Sequence, residues 1–145
     1  MNIDDIKLEW SNDCIINKHK LDDESIKSAL LHSKYINYFI EFKLKYSKLK
    51  YDYNQLKINK SKYYKGELSK DELSLLGWQP YQFNKPIKSE LERLLECDKN
   101  INDYKIKLEY IECCLLLLES ILLSIKDRTW SIKNAITFRQ FEAGN

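Results

Sequence analysis

Residues 104–125 read YKIKLEYIECCLLLLESILLSI, and this stretch decides the fold. Its apolar residues recur at alternating steps of four and three, and the pattern continues beyond the quoted stretch. The full repeat is Tyr104, Leu108, Ile111, Leu115, Leu118, Leu122, Ile125, Thr129, Ile132 and Ile136. This heptad spacing predicts a long helix that packs along one side on other helices.

A second apolar stripe lies beside the first. It consists of Tyr110, Cys114, Leu117 and Ile121. Two adjacent stripes indicate helical partners on two sides, as in a bundle or a ring of helices. We therefore predict self-association through the C-terminal helices. The residues predicted to carry it are Leu108, Ile111, Leu115, Leu118, Leu122 and Ile125. The alternative is an intramolecular hairpin with an earlier helix, which would leave the second stripe in contact with water.

Turn-forming residues are scarce and clustered. The 145 residues include only 3 Gly and 2 Pro, too few for the turns of a sandwich, barrel or doubly wound sheet. The chain is therefore predicted to be all-α, with long helices. Four of these five residues fall within residues 66–86, which predicts three segments. They are an N-terminal helical arm at 1–66, a linker at 67–87 and C-terminal helices at 88–145.

Two long helices are expected on either side of this linker. The first should begin at Asp22 or Asp23, whose carboxylates can cap free N–H groups, and run without a breaker to Gly66. Its long apolar periodicity is typical of a coiled-coil-like arm. The second should begin after Pro86, with Ser89 as its cap.

Positive charge is concentrated in residues 42–66. This segment has eight lysines and one acidic residue, Asp52, so it carries seven net positive charges. Because the whole chain carries only +2, the remainder carries five net negative charges. Half of the 10 tyrosines, namely Tyr46, Tyr51, Tyr53, Tyr63 and Tyr64, also lie here. The face of the helix that interleaves the two residue types is Tyr46, Lys50, Tyr53, Lys57, Lys60 and Tyr64.

Lysine and tyrosine on one face suit single-stranded nucleic acid, since cations meet phosphates and phenol rings stack on unpaired bases. Two other interpretations remain open from the spacing alone. One is the solvated surface of a plain coiled coil, and the other is a helix on a membrane surface.

Motifs of catalysis and metal binding are absent from the sequence. It has no phosphate-binding loop, no dinucleotide fingerprint and no nucleophile elbow. His19 and His32 have no partners at metal-ligand spacing, and the four cysteines form no C-x-x-C pair. We expect a non-enzymatic protein without cofactor or metal. With no signal peptide and no apolar span, we expect it to be soluble and cytoplasmic. The apolar side of the lysine-rich helix has little of the Trp and Phe content usual in membrane-surface helices, so we expect no membrane partner.

The closing stretch carries a resemblance to a known family. Its residues are Ile125-Lys126, Arg128, Ile132-Lys133, Arg139 and Phe141-Glu142-Ala143-Gly144. Ser33-Lys34 and the group Lys60, Tyr63, Tyr64 and Gly66 fit the same pattern. Together they resemble the UvsY family of recombination mediators of tailed phages.

The resemblance implies a non-enzymatic accessory of homologous recombination that acts in the cytoplasm of the host cell. It implies a homo-oligomeric ring of six or seven subunits on single-stranded DNA. Such a ring would help a RecA-like recombinase of the UvsX type to replace the phage single-stranded-DNA-binding protein. The C-terminal region is the family's oligomerisation element.

The family's DNA-contact region precedes its Tyr-Tyr pair, so the resemblance puts Lys60 on DNA with Tyr63 and Tyr64 adjacent. A basic position of relatives is Ile58 here, and Lys57 or Lys62 would have to supply that charge. The predicted DNA-binding residues are Lys43, Lys50, Lys57, Lys60, Lys62, Lys65, Tyr63 and Tyr64. The alternative function is an assembly-scaffold coiled coil that does not bind DNA.

Overall fold

The computed structural model describes residues 1–144, which form five α-helices and no strand. The helices are α1 (Ile3–Asp13), α2 (Leu21–Tyr64), α3 (Lys70–Leu76), α4 (Lys88–Cys97) and α5 (Lys99–Glu142). The all-α prediction is therefore confirmed, and α2 and α5 are the two long helices. Asn145, the last residue of the predicted segment 88–145, lies outside the described residues.

The expected second long helix is two helices, so that prediction is wrong. The chain is extended at Asp98, between α4 and α5, and the Asp98 carboxylate caps α5 by accepting the Ile101 N–H at 3.0 Å. Ser89 is not the cap of α4, because Ile87 holds that position. The Glu90 side chain accepts the Ile87 N–H at 3.4 Å.

Contacts divide the chain into two compact units. Unit 1 is Met1–Lys45 together with α5 from Ile111 onward, and unit 2 is Tyr46–Tyr110. The predicted segments 1–66, 67–87 and 88–145 follow the helix breakers along the chain. The units instead follow contacts in space, so each long helix contributes to both.

Polar contacts dock α1 onto α2 within unit 1. The Lys34 ammonium lies 2.7 Å from Asp13 and 3.0 Å from Glu9. The hydroxyls of Tyr35 and Tyr38 donate to Asp13 and Glu9, respectively, at 2.9 and 3.0 Å. Burial alone would raise the pKa of Asp13, but its hydrogen bonds from Lys34 and Tyr35 outweigh this and hold it below the usual range.

The six predicted oligomerisation residues of the heptad repeat, Leu108, Ile111, Leu115, Leu118, Leu122 and Ile125, form a heptad seam that packs within a single chain. Leu115, Leu118 and Ile125 are buried in unit 1. The rest of that core comes from side chains of α1 and α2 and from Cys114, Ile121 and Ile132 of α5. Leu108 is buried in unit 2. The remaining seam residues, Ile111 and Leu122, are half-buried. The second stripe is also packed within the chain, because Cys114 and Ile121 are buried, so the expectation that an intramolecular arrangement would leave this stripe in water is wrong. Oligomerisation through the six seam residues stays a prediction.

Candidate nucleic-acid interface

A face of α2 in unit 2 alternates cations with an aromatic ring. The ammonium groups of Lys50 and Lys57 lie 5.2 and 5.1 Å from the centroid of the Tyr53 ring. These residues are three and four positions apart, so they share one helix face. Both lysines are exposed and Tyr53 is half-buried. The face therefore presents two positive charges to solvent, held over one ring.

A lysine of α5 joins this face. Tyr53 and Lys57 line a cavity of about 440 Å³ with Ile101, Asn102 and Lys105, and its wall also includes Glu96. The sequence did not predict a role for Lys105, because the excess of positive charge lies in residues 42–66 and Lys105 is distant from that segment in the chain. Its position beside the heptad residue Tyr104 is the only signal for it in the sequence.

The other predicted lysines are distributed less compactly. Lys62 is exposed near the end of α2, and Lys65, just past its end, is half-buried. Lys43 is exposed but belongs to unit 1. The structure therefore brings Lys50 and Lys57 together with Lys105, whereas it does not bring Lys43 into the same unit.

Lys60 differs from its neighbours because its side chain is buried. Its ammonium group lies 3.2 Å from Asp98 and 4.3 Å from the centroid of a ring of Trp78. It also lies 5.6 Å from the centroid of the Tyr63 ring. The predicted contact of Lys60 with DNA needs this ammonium at the surface, whereas here it is enclosed by an acid and aromatic rings. The contact stays a prediction, and the geometry gives Lys60 a structural role.

Asp98 is the centre of this buried network. Its carboxylate accepts the Tyr64 hydroxyl at 2.6 Å, in addition to the Ile101 N–H and Lys60. Burial alone would raise the pKa of Asp98, but these donors outweigh it and hold the pKa below its usual range. Burial and the neighbouring Asp98 raise the pKa of Tyr64. At neutral pH the carboxylate is therefore ionised and the phenol is protonated.

An aromatic cluster of five rings adjoins this network: Tyr63, Tyr64, Trp78, Tyr81 and Phe83. The Tyr63 ring centroid lies 5.3 Å from that of Trp78, and the Tyr64 ring centroid lies 5.2 Å from that of Tyr81. Tyr81 in turn lies 5.4 Å from Phe83. Sequence reasoning assigned residues 78–83 to a linker, although three aromatic residues in six positions are a signal for packing.

Two other site classes find no support in residues 1–144. No group of three or more histidine, cysteine or acidic side chains is placed to hold a metal ion there. Within the same residues, no helix combines the length and the apolar character that crossing a membrane requires.

These features define a class of protein: all-helical, with a lysine and tyrosine face beside an aromatic cluster, as is typical of proteins that bind single-stranded nucleic acid. A comparison with protein families agrees. The family model described as "Recombination, repair and ssDNA binding protein UvsY" matches residues 9–145. The chain belongs to the UvsY family, as its sequence resemblance predicted.

Individual relatives support this assignment. The chain is 27% identical over 144 residues to recombination protein uvsY of Enterobacteria phage T4, with 99% of each protein covered. It also resembles two crystal structures of the bacteriophage T4 recombination mediator protein UvsY. One matches with a TM-score of 0.86 and 26% identity over 99% of this chain and 98% of that one. The other matches with a TM-score of 0.84 and 25% identity over 95% and 98%.

Proposed function

We propose that this protein is a non-enzymatic recombination mediator that acts in the cytoplasm of a phage-infected cell. As a homo-oligomeric ring of six or seven subunits, it would bind single-stranded DNA and help a RecA-like, UvsX-type recombinase to replace the phage single-stranded-DNA-binding protein. The observation that supports this most is the exposed face of Lys50, Tyr53 and Lys57 in a chain of the UvsY family.

The DNA-binding surface we propose is built on that face. Lys50, Lys57 and Lys105 would contact phosphates. Lys62 near the end of α2, Lys65 just past that end and Lys43 in unit 1 would be outlying charges. Lysine contacts of this kind bind the backbone and carry no sequence information. Reading base edges in a groove would call for arginine, asparagine or glutamine side chains instead. The protein should therefore bind strands of any sequence.

Lys60, Tyr63 and Tyr64 would act as positioning residues. Lys60 and Tyr64 join the end of α2 to Asp98, and Tyr63 packs on Trp78. Replacing Lys60 by alanine would leave Asp98 buried without its counter-ion. We expect weaker DNA binding in this variant because unit 2 loses order, and the loss should be equal for all sequences.

For the ring, we propose contacts through apolar side chains of α5 that the chain itself leaves exposed. Leu116, Leu123, Trp130 and Phe138 are each at least 60% exposed, and the first three are spaced by seven residues. Side chains at this spacing share one helix face, and an apolar stripe of this kind marks an interaction surface. Joining several copies would multiply a weak DNA site into a strong one without any new contact.

The native mass of the protein, measured with and without oligo-dT, tests DNA binding and assembly together. The mediator proposal expects an oligomer that gains the mass of bound strand at moderate salt. An oligomer that never binds strand would support the alternative function, an assembly-scaffold coiled coil. A monomer at micromolar concentration would contradict the proposed ring.

The loading step needs its own experiment. Recombinase filaments should form faster on a strand already covered by the phage single-stranded-DNA-binding protein when this protein is added. The Lys50→Ala/Lys57→Ala variant should lose this acceleration while keeping its native mass. Equal acceleration by that variant would show that recombinase loading does not depend on the proposed DNA-binding surface.

A further inference from the structure

Unit 2 contains a second cavity, of about 420 Å³, on the side of the aromatic cluster formed by Tyr81 and Phe83. It lies between the segment that precedes α4 and α4 itself. Its walls include Tyr81, Phe83, Pro86, Arg93, Leu94 and Cys97. The volume is within the range of pockets that hold small organic molecules, about 300–1,000 Å³. No role in the proposed function has been given to this pocket.

The pocket shares a wall with the aromatic cluster at the end of the lysine-rich segment. Tyr81 lines the pocket, and its ring centroid lies 5.6 Å from that of Tyr63 and 5.2 Å from that of Tyr64. Phe83, also in the wall, is 77% exposed, so part of its ring is available to a ligand. A strand held by the lysines of α2 would therefore pass close to exposed aromatic surface.

The charges of the pocket favour a base over a phosphate. Arg93 and Glu90 both line it, so it carries no net positive charge to attract a phosphate group. The Glu90 carboxylate would repel a phosphate, but it can accept a hydrogen bond from an N–H group of a base. Asn84 also lines the pocket, and its amide can donate and accept hydrogen bonds. Aromatic walls with such polar groups match the flat, polar-edged shape of a nucleobase.

We propose that this pocket receives one unpaired nucleobase of the bound single strand, stacked on Phe83. The inference rests on the proposed DNA binding and adds a base subsite to it. The lysines would hold the backbone, and the pocket would hold a base that such a strand leaves unpaired. Because every base has a flat face, the subsite would be tolerant of sequence.

Cys97 allows direct detection of an occupied pocket, because its side chain is exposed and lines the wall. The experiment measures alkylation of Cys97 in the full-length protein with and without saturating oligo-dT. Stacking of one base is worth about 1 kcal/mol or more, so oligo-dT should slow the reaction of Cys97 about five-fold or more. Cys14, which is exposed in unit 1, is the internal control and should react at an unchanged rate.

An abasic strand of the same length distinguishes contacts to the bases from contacts to the sugar–phosphate backbone. It keeps the phosphates, so it should bind through the lysines but leave Cys97 reactive. In parallel, Phe83→Ala should weaken oligo-dT binding about five-fold or more and leave abasic binding unchanged. Leu75→Ala removes an exposed apolar side chain of α3 in the same unit and should change neither affinity.

The outcomes distinguish failure of the proposed DNA binding from failure of the base subsite alone. If neither strand binds at moderate salt, the proposed function fails and the base subsite fails with it. If oligo-dT binds but does not protect Cys97, or if the abasic strand protects it equally, only the subsite is overturned. A Cys97 that is unreactive before any DNA is added would also overturn it, because the pocket would then be closed.

Discussion

The two compact units are stabilised in different ways. Among the described residues, eleven of the thirteen buried apolar side chains belong to unit 1, and only Ile101 and Leu108 belong to unit 2. Each unit also buries an ion pair, Arg128 with Glu24 in unit 1 and Lys60 with Asp98 in unit 2, where aromatic rings pack against the pair. The hydrophobic effect therefore contributes more to unit 1, whereas unit 2 depends to a larger extent on a few directional contacts.

This difference matters for function because the proposed DNA surface lies on unit 2. A small apolar core leaves more of its helices exposed, so lysines can cover them. The cost is that order in unit 2 depends on a small number of polar groups, and regions of this kind open more readily than a packed core.

Replacing Asp98 by alanine should have the largest effect. It leaves the Lys60 ammonium buried without a counter-ion, removes the acceptor of the Tyr64 hydroxyl and uncaps α5. Loss of one partner of a buried pair costs about 3–5 kcal/mol. Urea denaturation should show this loss, and hydrogen exchange should place it in unit 2. Asp103→Ala, an exposed position four residues into α5, is the matched control and should change little.

Leu118→Ala should destabilise the other unit. Leu118 is fully buried in unit 1, and its truncation leaves a cavity at a cost of about 2–5 kcal/mol. Hydrogen exchange should now speed up in unit 1. Leu8→Ala, at an exposed position of α1, should stay within about 0.5 kcal/mol of the wild type. Faster exchange in unit 2 alone would mean that the two units do not differ in the way described.

Lys57 and Lys60 are one helical turn apart on α2, but their replacement by alanine should affect different properties, DNA binding for Lys57 and the free energy of unfolding for Lys60. Lys60→Ala should cost about 2 kcal/mol or more, because an ionised carboxylate then stays buried without its counter-ion. Lys57→Ala should leave the free energy of unfolding within about 0.5 kcal/mol and weaken DNA binding only. Equal stability of the two variants would show that the Lys60 pair does not hold unit 2 together.

The smallest effect should appear in acid. The pKa of Asp98 in the folded protein lies below the value in an unfolded chain, about 3.9, so its contribution to stability is complete above that pH. It is lost as the pH falls from there toward the folded pKa, by at most about 1.4 kcal/mol per pH unit. The pKa of Asp13 in unit 1 is also lowered in the folded protein. The acid dependence of unfolding of the whole protein would therefore combine the contributions of both carboxylates.

Hydrogen exchange resolves the two contributions. In Asp98→Asn, exchange in unit 2 should lose this part of its acid dependence, while exchange in unit 1 keeps its own. If the substitution leaves the acid dependence of unit 2 unchanged, Asp98 is not the titrating group there.

The sequence predicted the parts of this molecule that depend on local pattern. The heptad spacing and the shortage of breakers give the all-helical class, and the charge of residues 42–66 identifies the lysine face. The break at Asp98 was missed because an aspartate between Cys97 and Lys99 does not interrupt a helical pattern. The burial of Lys60 was missed because it depends on Trp78 and Asp98, which are distant in sequence, whereas lysine is normally exposed.

The partner of the heptad seam, like the burial of Lys60, could not be predicted from local sequence pattern. The periodicity of the seam predicted a packed helix, but spacing alone does not reveal whether the partner is the same chain or another copy. Leu118 is buried within one chain, and Leu123, also apolar, is exposed. Leu118→Asp would therefore unfold unit 1, whereas Leu123→Asp should lower the native mass of a folded protein, as light scattering can measure.

The central claim is that the exposed lysines of unit 2 hold single-stranded DNA by its phosphates. The salt dependence of oligo-dT affinity tests it most directly, with Lys50→Ala/Lys57→Ala compared with Lys18→Ala/Lys20→Ala, a pair of exposed lysines in unit 1 outside the proposed ring contacts. The first pair should reduce the log–log slope by about 0.7 for each lost phosphate contact, and the second should leave it unchanged. An unchanged slope in the first pair, or an equal reduction in both, would contradict the claim.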